Sequence, residues 1–183
     1  MSREESGDDR SATSGADPAL TIMPERSEDE LAIDRLHERT FGPGGRARTA
    51  YRIREQVGHA LALSFTARIG TLLVGSVRLT PISIGETKAL LLGPLTVEPP
   101  FRERGIGQKL LEHALAVART AGHRAVLLVG DESYYSKAGF KRIPKGQVTM
   151  MGPVDPARLL VAELEPGAFA GVTGVIKPDW DAA

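Results

Sequence analysis

The sequence predicts an α/β (α+β) fold: a mixed central sheet whose N-terminal part is an antiparallel meander, followed by one βαβ unit. Three observations carry this. Strand-like runs follow one another through short turns from Ala60 to Val97, as hairpin-linked strands do. A stretch of helical periodicity from Gly105 to Ala121 separates two largely apolar runs, Ala89–Val97 and Ala125–Val129, as in a crossover between buried parallel strands. The chain has 183 residues, enough for one domain with a substantial core.

Met1 to about Leu20 is polar and rich in Ser, Gly, Asp and Glu. It has too little apolar surface to offset its ordering entropy, so it reads as a flexible tail, residues 1–20. Residues 21–183 read as a single domain. Thr21–Glu25 suggests a short first strand. Ser27-Glu28-Asp29-Glu30 matches a capping box opening a helix to about Thr40, with Leu31, Ile33 and Leu36 inward. Phe41-Gly42-Pro43-Gly44-Gly45 breaks it. A second helix is expected from about Arg46 to Val57, with Ala50, Ile53 and Val57 inward. Arg46, Arg48, Arg52 and Arg54 crowd that helix. They form either a solvated basic face or part of a site that holds an acidic group through the guanidinium fork.

Ala60–Ala67 alternates, with Leu61, Leu63 and Phe65 on one face, and reads as a strand. Arg68–Thr71 turns it into Leu72–Ile84, and Gly85-Glu86-Thr87 turns that into Lys88–Val97. Glu98-Pro99-Pro100 stops the last strand, because proline has no N–H for the ladder. The following helix puts Ile106, Leu110, Ala114 and Val117 on one stripe and ends at Gly122, where a left-handed cap is common. After Ala125–Val129, a short helix from Tyr134 to about Ala138 is closed by Gly139. Phe140–Ile143 begins a strand, Pro144–Arg158 reads as a loop, and Leu159–Leu164 is a last core strand. Gly171–Ile176 suggests an edge strand near the sole tryptophan, Trp180.

Composition excludes several functions. The 23 basic and 23 acidic residues cancel, which argues against a nucleic-acid binder relying on a global positive field. Without cysteine there is no disulfide, thiol catalysis or thiolate metal site. No apolar run approaches the roughly 18 residues of a membrane span, and the N-terminus shows no apolar signal core. A cytoplasmic protein acting away from membranes is expected; assembly as a homodimer stays open.

The segment Leu95-Thr96-Val97 through Arg102-Glu103-Arg104-Gly105-Ile106-Gly107-Gln108 runs from strand through turn to helix. Glycines there let backbone approach a ligand, and the unpaired N–H groups of a helix N-terminus attract a phosphate. Other nucleotide motifs fail. Gly105-x-Gly107-x-x-Leu110 lacks the third small residue of a dinucleotide fingerprint, and no Gly-to-Lys-Ser/Thr spacing makes a P-loop. No His/Asp/Glu cluster has metal-ligand spacing, so no metal is expected. In its strand-turn-helix setting, Arg102-x-x-Gly105-x-Gly107 resembles the acyl-CoA pyrophosphate loop of the GNAT superfamily of N-acetyltransferases. Tyr134-Tyr135-Ser136-Lys137-Ala138-Gly139-Phe140 resembles the second signature of that family. Two motifs in that order, with a helix and a strand between them, are more specific than either alone. The ending Leu164-Glu165-Pro166-Gly167-Ala168 is similar to the YhbS-like subgroup.

The resemblance implies a GNAT fold and transfer of an acetyl group from acetyl-CoA to an amine of a small molecule or a protein. It makes the co-substrate-binding residues Leu95, Thr96, Val97, Arg102, Glu103, Arg104, Gly105, Ile106, Gly107 and Gln108. The splayed strand ending Leu95–Val97 would pair with the pantetheine arm, and an N–H near Leu95 would act on the thioester oxygen, a role worth on the order of 3 kcal/mol. It makes Tyr135 the catalytic residue, since a phenol of pKa ~10 can protonate a leaving thiolate. The sequence departs from the family in two places. The loop after Ala125–Val129 has Asp131 and Glu132 where an asparagine is usual, and Leu90–Gly93 offers no carboxylate as general base. His59 and Glu132 are the replacements available, beside a water chain or an amine already partly neutral; His113 and His123 read as solvated. The rival function is a non-catalytic acyl-CoA-binding sensor with the same fold.

Overall fold

The longest strand sets the frame, because two different neighbours share one of its edges. A computed structural model describes residues 19–42, 49–179 and 181. In chain order these form β1 (Leu20–Pro24), α1 (Glu30–Phe41), α2 (Thr49–Val57), β2 (Phe65–Ile69), β3 (Leu72–Ile84) and β4 (Thr87–Val97). They continue with α3 (Ile106–Thr120), β5 (Ala125–Val129), α4 (Glu132–Tyr135), β6 (Lys141–Arg142), β7 (Val148–Met150), β8 (Leu159–Glu163) and β9 (Gly174–Pro178). The sheet order is β1-β2-β3-β4-β5-β8-β6. The first half of β3 pairs with β2, and its last residues, Ile82–Ile84, pair with β9 along the same edge. The pairs from β1 to β4 are antiparallel, as the meander predicts. β4 and β5 are parallel, which makes β4-α3-β5 the expected crossover.

Helices cover both faces. Leu110, Leu111 and Ala114 of α3 are fully buried against Val77, Leu79 and Leu92. Gly75 permits the close approach: a Cβ there would lie 3.0 Å from the Leu110 side chain. The opposite face of the same strands packs Ile82, Ile84 and Leu91 against Ile53 of α2 and against Phe169 and Ile176. α1 seals its own patch, Ile33 and Leu36 over Leu73. Each such side chain contributes about 1.5–3 kcal/mol by burial. Continuous burial of Ala89–Gly93 on both faces explains why that run is apolar without alternation.

Several expectations give way to the structure. The helix opens without the Ser27–Glu30 box. A 3-10 turn spans Ser27–Asp29, which tightens the turn by about one residue, so Asp29 accepts the Arg26 N–H at 3.1 Å. Leu31 is exposed because only Ile33 and Leu36, three apart, share the inward stripe. Ala60–Ala67 is not one strand. Leu61–Leu63 forms a 3-10 turn, and Ser64 Oγ donates to the Ala60 carbonyl at 2.8 Å, a local bond that replaces a ladder bond. The Pro144–Arg158 stretch contains β7, which pairs in parallel with β9, and β9 begins only at Gly174. The buried stripe of α3 is wider than predicted, with Leu111, Leu115 and Ala118 inside and Val117 at its border. Expectations for residues 1–18, Arg46, Arg48, Trp180 and the Ala50 side chain lie outside the described residues. Among the described residues no helix is long and apolar enough to cross a membrane.

Candidate active site

β4 and β5 pair only briefly. Leu90 and Leu91 lie opposite Val126 and Leu127, and beyond them the strands part. On the other edge of β4 the register with β3 slips: Val77 faces Leu95 and Leu79 faces Leu92, so Arg78 faces two residues, Gly93 and Pro94. An extra residue of this kind bends its strand and increases the local twist. The edge of Leu95–Val97 that faces β5 has no strand partner among the described residues. The Thr96 hydroxyl turns away from this edge and meets Ser76 Oγ at 2.9 Å in the interior.

After Val97 a 3-10 turn, Pro99–Phe101, leads into the start of α3. Glu103 (φ 63°) and Gly105 (φ 75°) are both left-handed. For Glu103 this costs about 1–2 kcal/mol, a strain of the kind that clusters at functional sites. The first N–H groups of α3 have no helical acceptor and offer positions for an anion. Gly107 is needed for space: a Cβ there would lie 2.5 Å from the Tyr134 hydroxyl. Arg102 Nε donates to the Val97 carbonyl at 3.3 Å. Arg104 holds its guanidinium 5.3 Å above the Phe101 ring.

The free edge of β4, the turn and α4 enclose one cleft of about 550 Å³. Its walls bring together Leu95, Thr96, Val97, Arg102, Glu103, Gly105, Ile106, Gly107, Gln108 and Tyr135. Of the predicted set only Arg104 stands outside. Thr40, Phe101, Tyr134 and Lys137 also line it. Three of these belong to the two motif segments. Thr40 comes from the end of α1, and nothing in its local sequence marks it.

Tyr135 sits where α4 folds over the end of β5. Its ring lies against Gly130, where a Cβ would be 2.9 Å from Tyr135 Cδ2, and it packs edge-on to Tyr134 and Phe140 at 4.9 and 5.9 Å. Gln108 Nε2 donates to the Tyr134 carbonyl at 3.2 Å, tying α4 to α3. Burial, with help from Tyr134 and Asp131, pushes the Tyr135 hydroxyl up to about 12, against the opposing pull of Arg158 and Arg54. At neutral pH the phenol keeps its proton and is available as a donor.

The base candidates are engaged elsewhere, and none lines the cleft. Glu132 accepts from Arg142 at 2.8 Å, and Asp131 pairs with Arg158 at 3.3 Å. His113 is half-buried rather than solvated, edge-on to Phe65 at 4.6 Å. His123 is half-buried too, and burial lowers its pKa. His59 Nε2 meets Glu25 Oε1 at 2.9 Å. Glu25 is buried and also receives Arg78 Nε at 3.0 Å and Nη2 at 2.6 Å. Burial alone would raise the Glu25 carboxyl, but bonds from His59 and Arg78 outweigh it and hold the carboxyl below its ordinary range. This cluster anchors Arg78, the residue at the bulge, to the end of β1.

On the α2 face of the fork, the Arg54 guanidinium lies over Gly93. A Cβ on Gly93 would be 2.8 Å from Arg54 Nη2. Sequence reasoning put Arg54 in a basic group; the pairing with Gly93 had no local signal.

Residues 61–142 match the family model described as an acetyltransferase (GNAT) domain. The chain is similar to the uncharacterised N-acetyltransferase YhbS of Escherichia coli K12, 28% identical over 86% of this chain and 95% of the relative. It is also similar to the uncharacterised N-acetyltransferase YjhQ of the same organism, 29% identical over 62% of this chain and 65% of that one. The crystal structure of Escherichia coli YhbS in complex with CoA superposes with a TM-score of 0.76 at 26% identity, covering 90% of this chain and 93% of that chain. A GNAT family acetyltransferase from Brucella melitensis in complex with acetyl-CoA gives a TM-score of 0.64 at 26% identity, over 88% and 94%.

Proposed function

We propose that the chain, whose residues 61–142 match the GNAT acetyltransferase domain model and which is similar to YhbS over most of its length, is a GNAT N-acetyltransferase that transfers an acetyl group from acetyl-CoA to a primary amine by direct attack on the thioester. The observation that carries the proposal is the single cleft into which both motifs converge, with Tyr135 at one wall and the α3 N-terminus at another. The solved relatives support it, since the Escherichia coli and Brucella melitensis proteins are complexes with CoA and acetyl-CoA.

The residues fit such a donor. Gly107 leaves room that a Cβ would take from the Tyr134 hydroxyl, and the first N–H groups of α3 suit a pyrophosphate. The unpartnered edge of Leu95–Val97 suits an extended arm that pairs like an added strand. The thioester supplies the acyl group. An N–H near Leu95 stabilises the charge that develops on its oxygen. As the C–S bond breaks, Tyr135 donates its proton to the departing sulfur, and the proton that the attacking nitrogen sheds restores the phenol, which at about 12 does not stay ionised. Catalysis is otherwise the positioning of two reactants at the fork.

Thiol release from acetyl-CoA across a panel of amines tests the reading, with CoA binding followed separately. Release with at least one amine supports transfer. CoA binding without release for any acceptor would favour a sensor. Absence of binding would overturn the assignment of the cleft.

A further inference from the structure

Helical threonines can satisfy their hydroxyls on the backbone of the preceding turn. Thr120, at the end of α3, does so: its Oγ1 donates to the Ala116 carbonyl at 3.1 Å. Thr40, one residue before the end of α1, does not. The residue is half-buried, yet its hydroxyl oxygen is shielded from water and has no hydrogen-bond partner among the described residues. The hydroxyls of Thr66 and Thr80 share that state, but those residues are fully buried inside the sheet, on β2 and β3. Of the three, only Thr40 lines the cleft. A buried hydroxyl left unpaired costs stability, so one held at a cleft wall points to a partner outside the chain.

The place of Thr40 identifies that partner. Its neighbour Arg39 donates through Nε to Glu98 Oε1 at 3.1 Å, which fixes the end of α1 beside the end of β4. Thr40 therefore shares the cleft with Leu95, Thr96 and Val97, whose edge facing β5 has no strand partner among the described residues. The Thr96 hydroxyl is already bonded to Ser76 at 2.9 Å, which leaves Thr40 as the hydroxyl available beside this edge. We propose that Thr40 is a donor-binding residue whose hydroxyl hydrogen-bonds an amide of the pantetheine arm of CoA. The proposal rests on the acetyl-transfer reading and deepens it. The arm is uncharged and carries secondary amides, whereas the nucleotide end carries phosphates that suit the α3 N-terminus and the cations Arg102 and Lys137. A threonine hydroxyl donates and accepts, so it meets either group of an amide. Helical threonine divides between two rotamers, and rotation about χ1 turns the hydroxyl from its shielded position toward the arm. Water does not solvate that oxygen beforehand, so the bond forms at little desolvation cost on the protein side.

Calorimetry on the full chain tests this without turnover. The probes are CoA and its adenosine bisphosphate fragment, which lacks the arm. Thr40→Val keeps the shape and removes the hydroxyl. It should weaken CoA binding about three- to tenfold, the scale of one neutral hydrogen bond, and bind the fragment within about twofold of wild type. Thr40→Ser, which keeps the hydroxyl, should bind CoA within about twofold of wild type. Without ligand, Thr40→Val should unfold at the same denaturant concentration as wild type or a higher one, because the hydroxyl it loses has no partner in the chain. Unchanged CoA affinity in Thr40→Val overturns the proposal, as does a loss shared equally by the fragment or matched in full by Thr40→Ser. A lower unfolding midpoint for ligand-free Thr40→Val overturns it too, by revealing a partner within the protein. All of these leave the acetyl-transfer reading standing, whereas absence of CoA binding by wild type overturns both. If CoA binding depends on Thr40 as expected but no amine releases the thiol from acetyl-CoA, the acetyl-transfer reading fails and the contact stands.

Discussion

The two sides of the fork are built differently. The side that carries the cleft, proposed above to hold the donor, is a contiguous segment, β4 through the start of α3, closed by α4 after one crossover. Its chemistry is mostly backbone: a free strand edge, left-handed residues at Glu103 and Gly105, and helix N–H groups. The opposite side is assembled from remote side chains: Glu25 after β1, Arg54 on α2, His59 beyond it and Arg78 on β3. Backbone geometry tolerates drift in side chains and needs only its glycines. A side-chain cluster depends on each partner, so one substitution can undo it and leave the backbone-built side as it is. The difference also explains why family resemblance reads the donor clearly and leaves the acceptor open.

The largest test of that contrast is in stability. Removing one member of a buried pair strands the other charge, so Glu25→Gln should cost about 3–5 kcal/mol in denaturant unfolding. Because the folded carboxyl titrates below its ordinary range, its contribution is full above the unfolded value of 4.5 and fades as pH falls through the folded one. The gap between wild type and Glu25→Gln should therefore be widest near neutrality and narrow in acid. A gap that widens in acid would break the assignment.

Tyr135→Phe should lower kcat by about 10²-fold or more while CoA affinity holds, as for loss of a general acid. Since the hydroxyl lies near 12, any fall in wild-type rate between pH 7 and 9 should persist in the variant. Gly107→Glu should weaken CoA binding by about 10²-fold, bringing both bulk and like charge to the phosphate position. Gly130→Ala is subtler. Its Cβ displaces the Tyr135 ring, and kcat should drop about tenfold, the scale of a small misplacement of a catalytic group. Glu132→Gln should change kcat less than about threefold, because Glu132 serves a half-exposed pair with Arg142. A large loss there would return Glu132 to the list of bases.

Much of the fold was legible. β3 matches its predicted limits, β5 does too, and α3 differs by one residue at each end. These elements combine a strong hydrophobic period with turn residues that end them. The errors fall where local signals are weak. Ala60–Ala67 alternates like a strand, yet Ser64 bonds back to Ala60. β7 and β9 are three and five residues long; β7 exists through its pairing with β9, and β9 through its pairing with β3 and β7. Both motifs were readable, and nine of the ten residues predicted to bind the donor line the cleft with Tyr135.

By itself the sequence determined the strand-turn-helix segment that lines the cleft, because turn, glycine and helix start are neighbours in the chain and their geometry follows from local sterics. Only the tertiary structure decided that Arg54 would lie over Gly93, that Glu25 would hold the bulge through Arg78, and that Thr40 would reach the cleft. Those contacts join segments brought together by burial of apolar faces. Burial is non-directional, so the pattern that drives it does not specify which polar groups will meet.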